Sequence, residues 1–247
     1  MIDIRIIPSL LIKNNRVVKG VKFSNHKDAG DPITTCLALE SQLADEICII
    51  DLDAYEQKRS PNIDYLKNIV SKISTPITYG GNITNIDEVR KIITNGADKV
   101  IINYDESSDD LINEIANKFG RQSITAAVDL IKENNSWKIF KNKKIINTDH
   151  HDYIKFISKK RIGEIKITFV SNEGMRTGFD LVQIKQISNL IKTPIIFEGG
   201  LGSLSQINDA INHGAKSIAI GTMIIFSDNN IFKIKQYLIN KNCDVRI

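Results

Sequence analysis

Three cysteines, odd in number and far apart at Cys36, Cys48 and Cys243, do not make the even, patterned set of a disulfide framework. None sits in a CxxC pair, so no metal is expected, and no motif asks for a cofactor. A reducing, cytosolic setting follows. No stretch reaches the roughly 18 apolar residues of a membrane span. The opening MIDIRIIPSLLIK carries Asp3 and Arg5 where a secretory signal would be uncharged, and no small-residue cleavage site follows. The net charge of +4 comes from Lys and Arg scattered along the chain, with no basic block or interleaved aromatics, which argues against nucleic acid as a partner. No linker is visible, and no GxGxxG turn follows the first apolar run, so a dinucleotide-binding sheet is disfavoured.

What the chain does have is alternation. Short apolar runs of strand length alternate with longer segments of helical period, the pattern of βα units around a parallel sheet. Eight strands are expected: Ile4 to Ile12, Glu46 to Asp51, Pro76 to Gly80, Lys99 to Asn103, Ser123 to Asp129, Glu164 to Phe169, Pro194 to Glu198 and Ser217 to Gly221. Helices are expected at Asn85 to Thr94 and Asp109 to Phe119, each with one apolar face. The 247 residues then form one α/β domain, a single (βα)8 TIM barrel. Two segments interrupt the alternation, 13–31 and 131–147. The second reads as a hairpin turning at Lys141 to Lys143.

The chain also repeats itself. Residues 75–104 match residues 193–222 without a gap, an offset of 193 − 75 = 118. The barrel is therefore read as two (βα)4 halves, about 1–118 and 119–247. The same offset pairs IIPSLLI from Ile6 with ITAAVDL from Ile124, which sets Leu11 opposite Asp129. A twofold pair of carboxylates is expected at the active mouth of such a barrel, and one of the two is Leu.

Reactive groups in these barrels come from the C-terminal strand ends, and phosphate is commonly held by the last two βα loops. Gly199, Gly200, Gly221 and Thr222 lie there, where backbone N–H groups can approach an anion. Gly81 and Asn103 are their first-half counterparts, flanked by Asn82 and by Tyr104, whose bulk should crowd a phosphate. Glu198 sets a carboxylate beside the second-half loop. Asp129, ending strand five, is the candidate general acid or base, with Ser171 and Glu173 as further polar groups. At the opposite face Arg5, Glu46, Lys99 and Glu164 start their strands and can close a ring of ion pairs across the floor, which by itself is a stabilising plug.

The runs RIIPSLLIKNNRVVKGVKF, KDAGDPI, TYGGNI, GADKVIIN, FGRQSITAAVDL, GEIKIT, EGMRTGFD and NCDVRI, in order over almost the whole chain, resemble the cyclase barrel subunit of imidazole-glycerol-phosphate synthase. The resemblance implies a HisH-like glutaminase partner docked on the floor near Asp98 and Gln122. It implies ammonia entry through a gate formed by Arg5, Glu46, Lys99 and Glu164. It also implies a doubly phosphorylated ribulosyl substrate cleaved and cyclised by two Asp, of which Asp129 is present and Leu11 replaces the other. Asn82, Tyr104, Glu198, Ser171 and Glu173 depart from the family on that same side. PSLLIKN at strand one is similar to the divergent, glycosyl-amidation-associated WbuZ-type branch. That likeness implies an ammonia-relaying barrel serving a separate sugar amidotransferase. A working cyclase in histidine biosynthesis and a non-catalytic activator of a glutaminase are the alternatives.

Overall fold

The segment GEIKITF shows how this sequence chooses its sheet. Side chains on a strand alternate between faces, so Ile165, Ile167 and Phe169 fall on one face of Glu164–Phe169 while Glu164, Lys166 and Thr168 fall on the other. All six are buried, which requires protein on both sides of the strand. The computed structural model, which describes residues 4–246, supplies it: helices outside and a closed barrel inside. Asp3 and Ile247, the last residue of the NCDVRI run, lie outside the described residues.

Twelve strands are present among the described residues: β1 Arg5–Lys13, β2 Arg16–Val21, β3 Ser24–Gly30, β4 Ile47–Asp51, β5 Ile77–Gly80, β6 Lys99–Asn103, β7 Ile124–Glu133, β8 Ser136–Lys141, β9 Lys144–Ile146, β10 Glu164–Phe169, β11 Ile195–Glu198 and β12 Ser217–Ile220. Eight of them run parallel in the order β1, β4, β5, β6, β7, β10, β11, β12, and β12 pairs back on β1 to close the barrel. These are the eight expected strands, with ends shifted by a residue or a few. The helices Ile86–Thr94 and Asp109–Phe119 also form.

The remaining four strands are two hairpin arms. β2 folds back antiparallel on β1 with Leu11 opposite Val18, and β8 folds back on β7 with Asp129 opposite Phe140. Each arm thus continues the strand that carries one of the two half-related positions and stands over the same mouth. The halves share register as well. Leu11 pairs with Ile50 and Asp129 with Thr168, and 129 − 11 and 168 − 50 are both 118. Their helix caps correspond too: Asn85 accepts from the Glu88 N–H, and Ser203, at 85 + 118, accepts from the Gln206 N–H.

The large apolar core lies between sheet and helices, with Ile6, Leu10, Tyr79, Val89 and Phe197 among its members. Inside the barrel is a smaller apolar layer of Ile7, Cys48, Ile101, Ile196 and Ala219. It separates the charged floor from the charged mouth. No helix among the described residues is long and apolar enough to cross a membrane.

Candidate functional site at the two ends of the barrel

The floor is built by strand starts. Arg5 Nη1 lies 3.2 Å from Glu46 and Nη2 2.7 Å from Glu164. Lys99 Nζ lies 2.7 Å from Glu46 and 2.8 Å from Glu164. The four charges form a closed ring of two partly exposed cations over two buried carboxylates. Hydroxyls fill the remaining acceptor positions: Thr78 donates to Glu46 at 2.5 Å and Thr125 to Glu164 at 3.0 Å. Burial opposes the charge on Arg5 and Lys99, but Glu164 and Glu46 outweigh it and raise both. Burial likewise works against ionised Glu164, and the two cations overcome it and hold its carboxyl below the usual range. Beside the ring, Asp98 accepts from the Ile77 N–H at 2.9 Å, and Gln122 is exposed.

The mouth is built by strand ends. Lys166 contacts Glu198 and donates to Thr168 Oγ1 at 3.1 Å. The side chains of this ion pair are 8% and 11% exposed, so the pair is buried inside the barrel. Burial alone would lower the Lys166 ammonium and raise the Glu198 carboxyl. Their mutual attraction wins in both, raising Lys166 and lowering Glu198. Lys19, on the β2 arm, is 2% exposed and reaches down to Gly221, where an added Cβ would overlap its ammonium. Burial lowers its pKa, while Glu198 and Glu173 resist. Ser9 Oγ, at the same level, is buried and makes no hydrogen bond of complete geometry.

Asp129 is half-buried at the end of the regular barrel part of β7. Burial raises its carboxyl to about 6; Lys166 opposes that rise and Glu198 adds to it. Such a group holds its proton more tightly folded than unfolded. Its contribution to stability is therefore present below about pH 4 and is lost as pH rises through about 6. Asp129→Asn should gain stability relative to the wild type between pH 4 and pH 7, on the order of 1–3 kcal/mol. Denaturant titrations at several pH values check this; a difference that does not change with pH would refute it.

The glycine turns take left-handed backbone in the expected places. Gly199 and Gly200 have φ of 103° and 112°, and an added Cβ on either would meet a carbonyl oxygen at 2.6 Å. In the first half Gly81 keeps φ at 139°, while Asn82 holds a left-handed φ of 46° where the second half has Gly200. The loops Gly199–Leu201 and Gly221–Thr222, with Glu173 and Glu198, line a partly open pocket at the mouth. Asn103 is exposed at the end of β6.

Two expectations change. Tyr104 does not crowd the mouth, because its ring turns outward among the helices, stacks edge-on to Tyr153 at 6.0 Å and donates its hydroxyl to Asp109 at 2.9 Å. Position 104 is out of phase with the inward residues 99, 101 and 103. Nor do Ser171 and Glu173 supply a partner for Asp129: Ser171 Oγ accepts from the Lys132 N–H at 2.8 Å, and Glu173 faces Lys19. The polar groups that act on Asp129 are Lys166, Glu198 and Thr168. Lys166 and Lys19 were missed by sequence reasoning. For Lys166 the signal was available, a lone cation in phase with Glu164 on an otherwise apolar strand.

Comparison with known proteins places this arrangement. The family model described as Histidine biosynthesis protein matches residues 5–230. Imidazole glycerol phosphate synthase subunit HisF of Campylobacter concisus (strain 13826) is 35% identical over 246 residues, covering 98% of each chain. The HisF subunit of Sulfurisphaera tokodaii is 36% identical over 248 residues, again 98% of each chain. That of Hydrogenobaculum sp. (strain Y04AAS1) is 37% identical over 252 residues and 100% of both chains.

Proposed function

The chain belongs to the histidine biosynthesis protein family, as a HisF-like barrel, and on that premise we propose that it is the ammonia-accepting subunit of a glutamine amidotransferase whose cyclisation chemistry is weakened. One observation carries this: Leu11 and Asp129 stand in equivalent registers of the two halves, so one proton-exchanging group is missing at the mouth, while the four-charge ring at the floor is closed. Ammonia would come from a HisH-like glutaminase docked near Asp98 and Gln122 and pass Arg5, Glu46, Lys99 and Glu164. Gly81, Asn103, Gly199, Gly200, Gly221 and Thr222 would hold whatever anionic group the mouth still takes. Our reading of the acceptor is a sugar amidotransferase. The relatives named above are HisF subunits, and this acceptor rests on the likeness of the PSLLIKN run, with Leu11 in it, to the glycosyl-amidation-associated branch.

Reversing one floor charge tests the path. In Lys99→Glu three carboxylates would face Arg5, and the passage at the floor would lose its closed form. With a HisH-type glutaminase and the ribulosyl intermediate, residual product made from glutamine should fall about tenfold or more relative to product made from added ammonium, on the scale of one lost charge pairing. Glutamine hydrolysis itself should persist. An unchanged ratio would remove the gate assignment.

A second reading, a working cyclase in histidine biosynthesis, draws support from the full-length likeness to HisF subunits and from Asp129, whose carboxyl near 6 suits proton exchange around neutral pH. The cyclase rate separates the two.

A further inference from the structure

We propose that Asp149, His150 and His151 form a binding site for a divalent first-row transition ion, outside the barrel wall at the mouth end. The helix His150–Ile157, with Asp149 as its cap, begins just past the β8–β9 arm and packs against β7, β8 and the helix Leu181–Leu190. Each of the three residues offers one ligand atom, and the three atoms lie within 4.8 Å of one another. Donors on a tetrahedral ion at about 2.0–2.1 Å stand roughly 3.4 Å apart. Small side-chain rotations therefore close the set around an ion.

Two features separate this set from a plain helix cap. The Nε2 of His151 is buried and has no hydrogen-bond partner, a polar atom left unanswered. The two imidazoles lie together, with ring centroids 4.0 Å apart and planes tilted by 36°. His150 is 8% exposed, and its Nε2 lies 2.8 Å from Gln183 Oε1. The Gln183 amide nitrogen donates to Gln186 Oε1 at 2.9 Å, which leaves its oxygen as the atom turned to His150. An amide oxygen only accepts, so His150 carries its proton on Nε2 and keeps a free electron pair on Nδ1. Metal-bound histidines are commonly oriented by an outer carbonyl in this way. Gln183 also lies beside His151, without a hydrogen bond of complete geometry. Burial lowers the pKa of His151 and His150 adds to the effect, so its ring is neutral at pH 7.

The donor types select the ion. Two imidazoles and a carboxylate suit Zn²⁺, Ni²⁺ or Cu²⁺, whereas Mg²⁺ and Ca²⁺ ask for oxygen shells. Asp149 Oδ1 accepts the Asp152 N–H at 3.0 Å, which uses one of about four lone-pair positions on the carboxylate. The positive end of the helix opposes a cation, and the Asp149 charge offsets that opposition. Three protein donors leave a fourth position for water. A bound ion would fasten the start of this helix, and with it the base of the β8–β9 arm.

The test uses the full chain without a histidine tag, titrated calorimetrically with zinc chloride and, in a separate run, with magnesium chloride. One zinc ion per chain is expected to bind saturably and to raise the melting temperature; magnesium should do neither. His151→Ala should weaken zinc binding at least tenfold, and Gln183→Ala, which removes only the orienting carbonyl, about tenfold. Cys243→Ser should leave binding unchanged, which sets aside capture by the one cysteine that is not fully buried. Should His151→Ala not fold, Asp149→Asn carries the comparison, with at least a tenfold loss expected. No saturable zinc binding, binding of equal strength in His151→Ala, loss of binding in Cys243→Ser, or an equal response to magnesium each overturns the proposal.

Discussion

Given ammonium and the doubly phosphorylated ribulosyl intermediate, the purified barrel is expected to make imidazole glycerol phosphate about 10²- to 10⁴-fold more slowly than a HisF subunit assayed beside it, the range typical of a lost general acid or base. Leu11 can neither take nor give a proton. The nearby carboxylates do not replace it. Glu198 is held below its ordinary pKa by Lys166 and is a poor base, and Glu173 lies toward Lys19 and the β12 turn rather than beside Asp129. Leu11→Asp should recover less than about tenfold of the deficit, since Glu198 still sets a carboxylate beside the second-half glycine loop. A wild-type rate within about tenfold of the HisF control would refute the weakened-cyclase reading and favour the histidine-pathway alternative.

Lys166→Met should lower stability by about 3–5 kcal/mol, the usual cost of stranding one member of a buried ion pair. Glu198 would then keep only Lys19 as a nearby cation, in a part of the barrel with little access to water. At about 2–4 °C per kcal/mol for a chain of this size, the melting temperature should fall by roughly 6–20 °C. The double change Lys166→Met with Glu198→Met removes both charges and should restore most of the loss. Calorimetry on the two variants decides the matter. A single variant within about 1 kcal/mol of wild type would mean that water or Lys19 already compensates Glu198.

Much of this molecule was legible from sequence because its strands are apolar runs bounded by turn residues, and because the 118-residue repeat fixed which strand ends correspond. The β8–β9 hairpin was visible through its Trp137, Ile139 and Phe140 pattern. The β2–β3 hairpin was not: it turns at Lys22 and Phe23, both with positive φ, and neither type signals a left-handed turn. The floor ring could be anticipated because all four charges sit at strand starts, where the register of a closed barrel brings them to one level. The mouth could not. Whether Lys166 meets Glu198 depends on the stagger between β10 and β11, which sets Lys166 beside Ile196 and Glu198 beside Thr168. The descent of Lys19 depends on how the β2 arm packs against β1. Tyr104 was misjudged for a related reason, since one residue past the end of β6 decides which way a side chain faces.

The floor ring has four links among four residues, and each residue holds two of them. Breaking any one link, for instance Lys99 to Glu46, leaves Lys99 on Glu164 and Glu46 on Arg5. No charge is stranded, so the ring becomes an open chain rather than two broken pairs. A ring closed this way can open at one seam and reseal with the same four residues still in place.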